Sequence, residues 1–442
     1  MTKKKKILVW LLSFVLLGLA WTQHSPYFIF LRHINSAIII IFALYFLIRS
    51  KRYFPKPYLN TQARLAHLFF LGLMISSLGL TLQKEIGFFS LKQRVLNADP
   101  AQLQSLGRHF IVGYRDYREI ERLVSKGAIG GVFITQRNIQ GKSFADVQDE
   151  IAKLQKIQKK LGLPPLWIAT DEEGGNVARL FPLIPNQGPL SYLVEQHPQA
   201  ENLEKAVISY AVIQGKALYD LGVNLNFSPV VDLRGERNLL DLHSRIWERA
   251  ISDDPKIVSQ VSGIYCKTLI QEGIKPTLKH FPGLGKISED THVSEAKLNL
   301  SVEQLEAEDW QPFKNTLSQT QSFLMLSHAH LSAIDEENPV SVSSKVIQEI
   351  IRKRWQHSGV LITDDFTMAP IYSRQGGVGK AAVDALNAGV DLILISYDGE
   401  LYYEAMDALL KADKDHRLNS GLVAQSDSRL KNQSTVMKVG VK

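Results

Sequence analysis

The sequence predicts an α/β fold, a (β/α)8 barrel of the TIM type preceded by an N-terminal membrane anchor of about three transmembrane helices. Three observations predict it. Beyond residue 106, short apolar runs alternate with helix-like stretches through about eight units, the pattern of parallel strands joined by crossover helices. Polar residues follow those runs directly, at the strand ends where such a barrel keeps its chemistry. The first 84 residues hold three long apolar segments and no Asp or Glu.

In chain order, Lys3 to Lys6 precede an apolar run from Ile7 to Trp21; a second runs from Ile34 to Ile48 and a third from Leu65 to Leu82. With their weakly polar flanks these are near the lower limit for crossing a bilayer, roughly 17 residues. The first alone would also suit a secretory signal peptide, with Gly18-Leu19-Ala20 as a small-residue cleavage site, but its successors favour a multi-span anchor. A buried soluble hairpin is the alternative, and the charges oppose it. Arg49, Lys51, Arg52, Lys56 and Arg64 lie between the second and third runs, whereas Arg32 alone follows the first, as expected for a cytoplasmic N-terminus and second loop. Three crossings then put the rest of a multi-pass membrane protein outside the cytoplasm, with residues 1–84 in the lipid bilayer. Residues 85–106 read as a linker helix, and 107–442 as the barrel.

Within the barrel region His109 to Gly113, Gly130 to Ile134, Leu166 to Thr170, Val223 to Val231, Ile274 to Leu278, Phe323 to Ser327, Val360 to Thr363 and Val390 to Ser396 read as strands. Helical patterns such as Ile257 to Gln271 and Val346 to Arg354 lie between them. A doubly wound open sheet is the alternative, but no G-x-G-x-x-G follows the first run and there is no Walker loop. An apolar share of 45% in 442 residues is ample for one large core. The net charge of +7 does not signal a nucleic-acid partner: eleven of the 51 Lys and Arg lie in residues 1–84, leaving 40 basic against 44 acidic residues beyond. A single Cys266 cannot form an internal disulfide.

The strand ends carry the candidate chemistry. The stretch from Lys279 to His292, K-H-F-P-G-L-G-K-I-S-E-D-T-H, places two Lys, two His and an Asp on a glycine-punctuated loop after the fifth run. After the third run comes Asp171-Glu172-Glu173-Gly174-Gly175, with Arg179 soon after; after the seventh come Asp364 and Asp365. Asp232 and Asp365 read most simply as helix N-caps, and His328 stays open between a pocket wall and a packed histidine. Gly174, Gly175, Gly283 and Gly285 suit a backbone that turns sharply or approaches a ligand.

These segments carry a resemblance. I-A-T-D-E-E-G-G-N-V-A-R, K-H-F-P-G-L-G-x-x-x-x-D-T-H and L-I-T-D-D-F-T-M are similar to signature segments of family 3 glycoside hydrolases, in the β-N-acetylglucosaminidase branch. The likeness covers roughly residues 100 to 430. It implies a retaining exo-enzyme that removes terminal β-linked N-acetylhexosamine from a carbohydrate substrate, such as a peptidoglycan or chitin-type fragment, with no metal and no organic cofactor. By motif, Asp364 resembles the family's nucleophile, and Asp290 and His292 its Asp-x-His pair, with His as acid and base. Asp171, Arg179, Arg249, Lys279 and His280 resemble the residues that hold the sugar, with Arg245 as a rival to Arg249. Retaining chemistry needs a carboxylate to attack and a second group to protonate the leaving oxygen; a histidine beside a carboxylate can serve as the second. The chain departs from the family pattern at Leu284, Asn176 and Thr291, where His, Arg and Ser are usual. Two further functions fit the same residues: a glycoside phosphorylase, and a catalytically inactive membrane-anchored sugar-binding module.

Overall fold

The structure, a computed structural model, describes residues 3–53, 61–237 and 243–434, and the chain divides into two compact units, Met1–Arg94 and Val95–Lys442. In the first, uninterrupted Leu, Ile, Phe and Val give helices α1 (Lys3–Thr22), α2 (Arg32–Tyr53) and α3 (Thr61–Leu96). They pack through Leu16, Ala20, Ile39, Ala43, Phe70 and Met74, while Leu11, Ile41, Ile48, Phe69 and Ile75 point outward and are more than half exposed. By length and composition Ile34–Tyr53 and α3 are sufficient to cross a membrane; the apolar part of α1, Ile7–Thr22, is shorter, because lysines occupy its first turn. The linker expected at residues 85–106 is the end of α3 followed by helix α4 (Pro100–Gly107), which Asp99 caps by accepting the Gln102 N–H (2.9 Å). Of the basic loop, Lys56 lies outside the described residues.

In the second unit all eight expected strands are present: β1 (Phe110–Gly113), β2 (Gly131–Phe133), β3 (Trp167–Thr170), β4 (Leu225–Asn226), β5 (Lys275–Phe281), β6 (Phe323–Leu326), β7 (Leu361–Asp365) and β8 (Leu392–Ile395). They pair in parallel and in sequence order, β1 against β8 closing the barrel. Two boundaries differ from the sequence reading. The fourth strand is short because Pro229 has no N–H to continue the ladder, which resumes only as an isolated bridge between Val230 and Lys279. The fifth runs on to Phe281, so Lys279 and His280 stand on the strand itself.

Ile111, Phe133, Trp167, Ala169, Leu225, Phe323, Met325, Ile362, Leu392 and Leu394 form one buried cluster. Leu430 joins it from the last helix (Ser420–Ser434), whose Arg429 donates to Asp391 (2.8 Å) at the start of β8 and whose Asp427 approaches His109 (3.4 Å) at the start of β1. That helix covers the amino ends of the strands. The carboxyl ends remain for the polar residues.

Candidate active site

Strand alternation aims the first candidates. Trp167 and Ala169 face the core cluster, so Asp171, two residues on, faces the barrel mouth; Ile362 does the same for Asp364. Lys279 Nζ donates to Asp171 Oδ1 (2.6 Å) and to Glu173 Oε1 (2.5 Å). Arg249 grips Glu173 with a two-point fork, Nε to Oε2 at 2.9 Å and a terminal nitrogen to Oε1 at 2.7 Å. Burial alone would raise the Glu173 pKa, but Arg249 and Lys279 hold it well below the carboxylate range, so it is ionised. The same terminal nitrogen of Arg249 lies 3.3 Å from His280 Nε2. His280 Nδ1 is 2.7 Å from Asp232 Oδ2, which also accepts the His280 N–H (3.0 Å), while Asp232 Oδ1 accepts the Leu284 N–H (2.7 Å). Asp232 is therefore no helix cap; it orients His280 and pins the start of the following loop.

Asp364 is partly exposed and accepts one bond, from the Asp365 N–H to Oδ1 (2.8 Å); Oδ2 has no partner among the described residues. Desolvation pushes its pKa up, yet His280 and His292, with the Asp365 N–H, bring it below the ordinary value, which keeps it an anion. Its neighbour Asp365 is saturated. It accepts from Thr367 N–H (3.0 Å) and hydroxyl (2.6 Å), Ser396 N–H (2.9 Å) and hydroxyl (2.5 Å), and Tyr397 N–H (2.9 Å). It works as a turn and cross-strand anchor. His328 is fully buried with Nδ1 on Ser341 Oγ (2.8 Å) and Nε2 on the Asp365 carbonyl (3.0 Å), and burial lowers its pKa: it is a neutral, packed histidine.

The loop after β5 starts at Gly283, in the left-handed region at φ 106°, and passes so close to the loop after β4 that a Cβ on Gly285 would lie 1.9 Å from the Leu233 carbonyl oxygen. Asp290 Oδ1 accepts both the N–H (2.9 Å) and Nδ1 (3.1 Å) of His292. Its Oδ2 accepts the N–H (3.2 Å) and Nδ1 (2.6 Å) of His243. Burial would raise the Asp290 pKa, and these bonds from two histidines depress it instead. With Nδ1 donating, His292 presents Nε2, which has no partner among the described residues, as a base or, once protonated, an acid.

A family model described as the glycosyl hydrolase family 3 N-terminal domain matches residues 95–432. The chain belongs to glycoside hydrolase family 3. Its relatives include the β-hexosaminidases of Xanthomonas oryzae pv. oryzae, strain MAFF 311018 (33% identical over 284 residues, 64% of this chain and 80% of the relative), and Xylella fastidiosa, strain M23 (33% over 286 residues, again 64% and 80%). Among solved structures it is similar to a family 3 β-N-acetylglucosaminidase from Paenibacillus sp. str. FPU-7, with TM-score 0.69 and 29% identity, covering 76% of this chain and 62% of that one. A family 3 hydrolase from Mycobacterium smegmatis gives TM-score 0.67 and 28% identity, covering 78% of this chain and 98% of that one.

In this family 3 chain the barrel brings together Asp171, Arg249, Lys279, His280 and Asp364, and the loop adds Asp290 and His292. Arg179 is exposed and makes no side-chain hydrogen bond among the described residues. Arg245 turns away to pair with Glu248, which leaves Arg249 as the arginine of the site. Leu284 packs with Ile246, Ala250 and Ala329, so the departure there substitutes an apolar anchor for a polar group. Asn176 donates to Glu248 Oε2 (2.7 Å). Of the two glutamates after Asp171, Glu173 is locked by its cations, and Glu172 is buried; desolvation, partly opposed by the Leu180 N–H it accepts, pushes its pKa up to about 7. Sequence reasoning missed the clamp formed by Glu173 and missed His243 entirely, since neither stands in a spacing that signals a partner.

Proposed function

We propose that the protein is a retaining exo-β-N-acetylglucosaminidase, held by residues 1–84 in a membrane with its barrel, residues 107–442, on the extracytoplasmic side. The observation that carries the chemistry is the contrast between two carboxylates: Asp364 keeps an oxygen without a partner among the described residues, whereas both oxygens of Asp290 are taken by histidine donors. In this reading the terminal sugar lies between Asp171, Lys279, Arg249 and His280, whose donors and acceptors suit ring hydroxyls. Arg179 reaches it from the rim. Asp364 attacks the anomeric carbon while protonated His292 gives its Nε2 proton to the leaving oxygen, which breaks the glycosidic bond and leaves a glycosyl ester on Asp364. Neutral His292 then takes a proton from water, the resulting hydroxide displaces Asp364, and the sugar leaves with its configuration retained. Asp290 holds the His292 tautomer and stabilises its cation.

The basic residues at the end of α2 and start of α3, together with outward-facing apolar side chains, support the membrane reading. The test is hydrolysis of 4-nitrophenyl N-acetyl-β-D-glucosaminide by the full-length protein in detergent, with the product anomer followed by NMR. Release of the β-anomer first supports the reading; the α-anomer first, or no release, overturns it. Because a histidine acid is neutral after giving up its proton and does not repel phosphate, the same assay is run with added phosphate. Formation of the sugar 1-phosphate would replace hydrolysis by phosphorolysis.

A further inference from the structure

The proposed mechanism leaves one close partner of Asp290 unused. His243 comes from the segment after β4, and its Nδ1, 2.6 Å from Asp290 Oδ2, lies nearer the carboxylate than that of His292 (3.1 Å). Its backbone N–H adds a second bond to the same oxygen (3.2 Å). The two imidazole rings stand 5.8 Å apart at 35° on either side of one carboxylate that is only 7% exposed. We infer that His243 is a positioning residue which shares Asp290 with His292, fixing the carboxylate and dividing its charge between two protonatable rings. This rests on the reading of His292 as acid and base.

Either ring can carry a proton beside Asp290, but protons on both repel across that distance. Among the described residues, Asp364 and His328 each sense the charge of His292, and Glu289 stands beside Asp290 on the same loop. At 5.8 Å two cationic rings repel appreciably at any effective dielectric constant between those of a protein surface and water. When the pair holds a single proton, either ring can carry it, so only a fraction of molecules have it where the leaving group needs it. The alkaline limb of the rate profile is therefore drawn out.

His243→Asn keeps a donor near the Nδ1 position and removes the second titrating ring. For it we expect kcat/KM at the optimum within about 3-fold of wild type, with an alkaline limb that steepens to a single ionisation and shifts upward by several tenths of a pH unit. His243→Ala also frees Oδ2, and we expect kcat to fall roughly 5- to 50-fold on 4-nitrophenyl N-acetyl-β-D-glucosaminide with KM little changed. A His243→Asn profile superimposable on that of wild type overturns the inference. So does a burst of product followed by azide-rescued turnover in His243→Ala, which would make His243 itself the acid and base. His292→Ala is assayed in parallel: wild-type rates there would sink the mechanism, whereas loss there with an unchanged His243→Asn profile removes only the role of His243.

Discussion

Replacing Glu173 by Gln deletes the anion between Arg249 and Lys279 while preserving the shape of the side chain. Both cations are buried, Lys279 at 3% and Arg249 at 12% side-chain exposure, and only Asp171 would still pair with Lys279, with Asp232 acting on Arg249 without an ion pair. Removing one partner of a buried ion pair costs about 3–5 kcal/mol, and since Gln keeps an acceptor oxygen the lower end applies. At roughly 2 cal/mol/K per residue the unit Val95–Lys442 has an unfolding entropy on the order of 0.7 kcal/mol/K, so the loss lowers its Tm by about 4 °C. Calorimetry of the full-length protein in detergent reads this directly. The pH dependence gives an independent check. Arg249 and Lys279 depress the Glu173 pKa below its unfolded value despite burial. Its stabilisation is therefore complete above the unfolded pKa, about 4.3, and is lost as pH falls toward the folded value. The gap between wild type and variant should be full at pH 7 and narrow steadily below about pH 4. A gap under 1 °C at pH 7, or one that does not change down to pH 3, would refute the argument that the charged clamp carries the stability.

Three further outcomes are expected. Asp364→Ala should abolish turnover of every substrate, because no glycosyl ester can form, whereas His292→Ala should give a burst of phenolate from a dinitrophenyl glycoside and then stall, with azide restoring turnover; wild-type behaviour of His292→Ala on poor leaving groups would move the acid elsewhere. Asp171→Ala should lower kcat/KM by on the order of 10- to 1000-fold, because Lys279 loses one of its two carboxylates and the sugar an acceptor; a change within experimental error removes Asp171 from the sugar site. A reporter active only outside the cytoplasm should be silent when fused after Asn60 and active after Asn97, and the reverse pattern would place the barrel inside.

How far the site was legible depended on how local each signal is. Asp364 and Asp171 could be found because a strand's alternation and its end both show in the apolar run before them. Lys279 and His280 were found by motif, although their position on the strand rather than beyond it was not visible. Asp232 was misread because an acidic residue after a strand looks the same whether it caps a helix or receives a histidine from the next strand. Arg245 and Arg249 stand four residues apart, and no spacing rule separates them; the turn at Arg245, with its left-handed φ of 44°, decides which one meets Glu173.

By itself the sequence determined the eight strands, their order, the acid-free apolar N-terminal segments and the residue types available at the barrel mouth. All of these follow from periodicity, composition and chain order, which are one-dimensional properties. Only the tertiary structure decided the charge pairings: Glu173 with Arg249 and Lys279 across 76 and 106 residues of chain, Asp232 with His280 across 48, and Asp290 with His243 across 47. Such pairs form because barrel closure brings neighbouring strand ends together, and in that buried ring an ion lacking a partner would be too costly to keep. Which partner each one takes is set by side-chain reach over a few ångströms, a quantity that no pattern along the chain records.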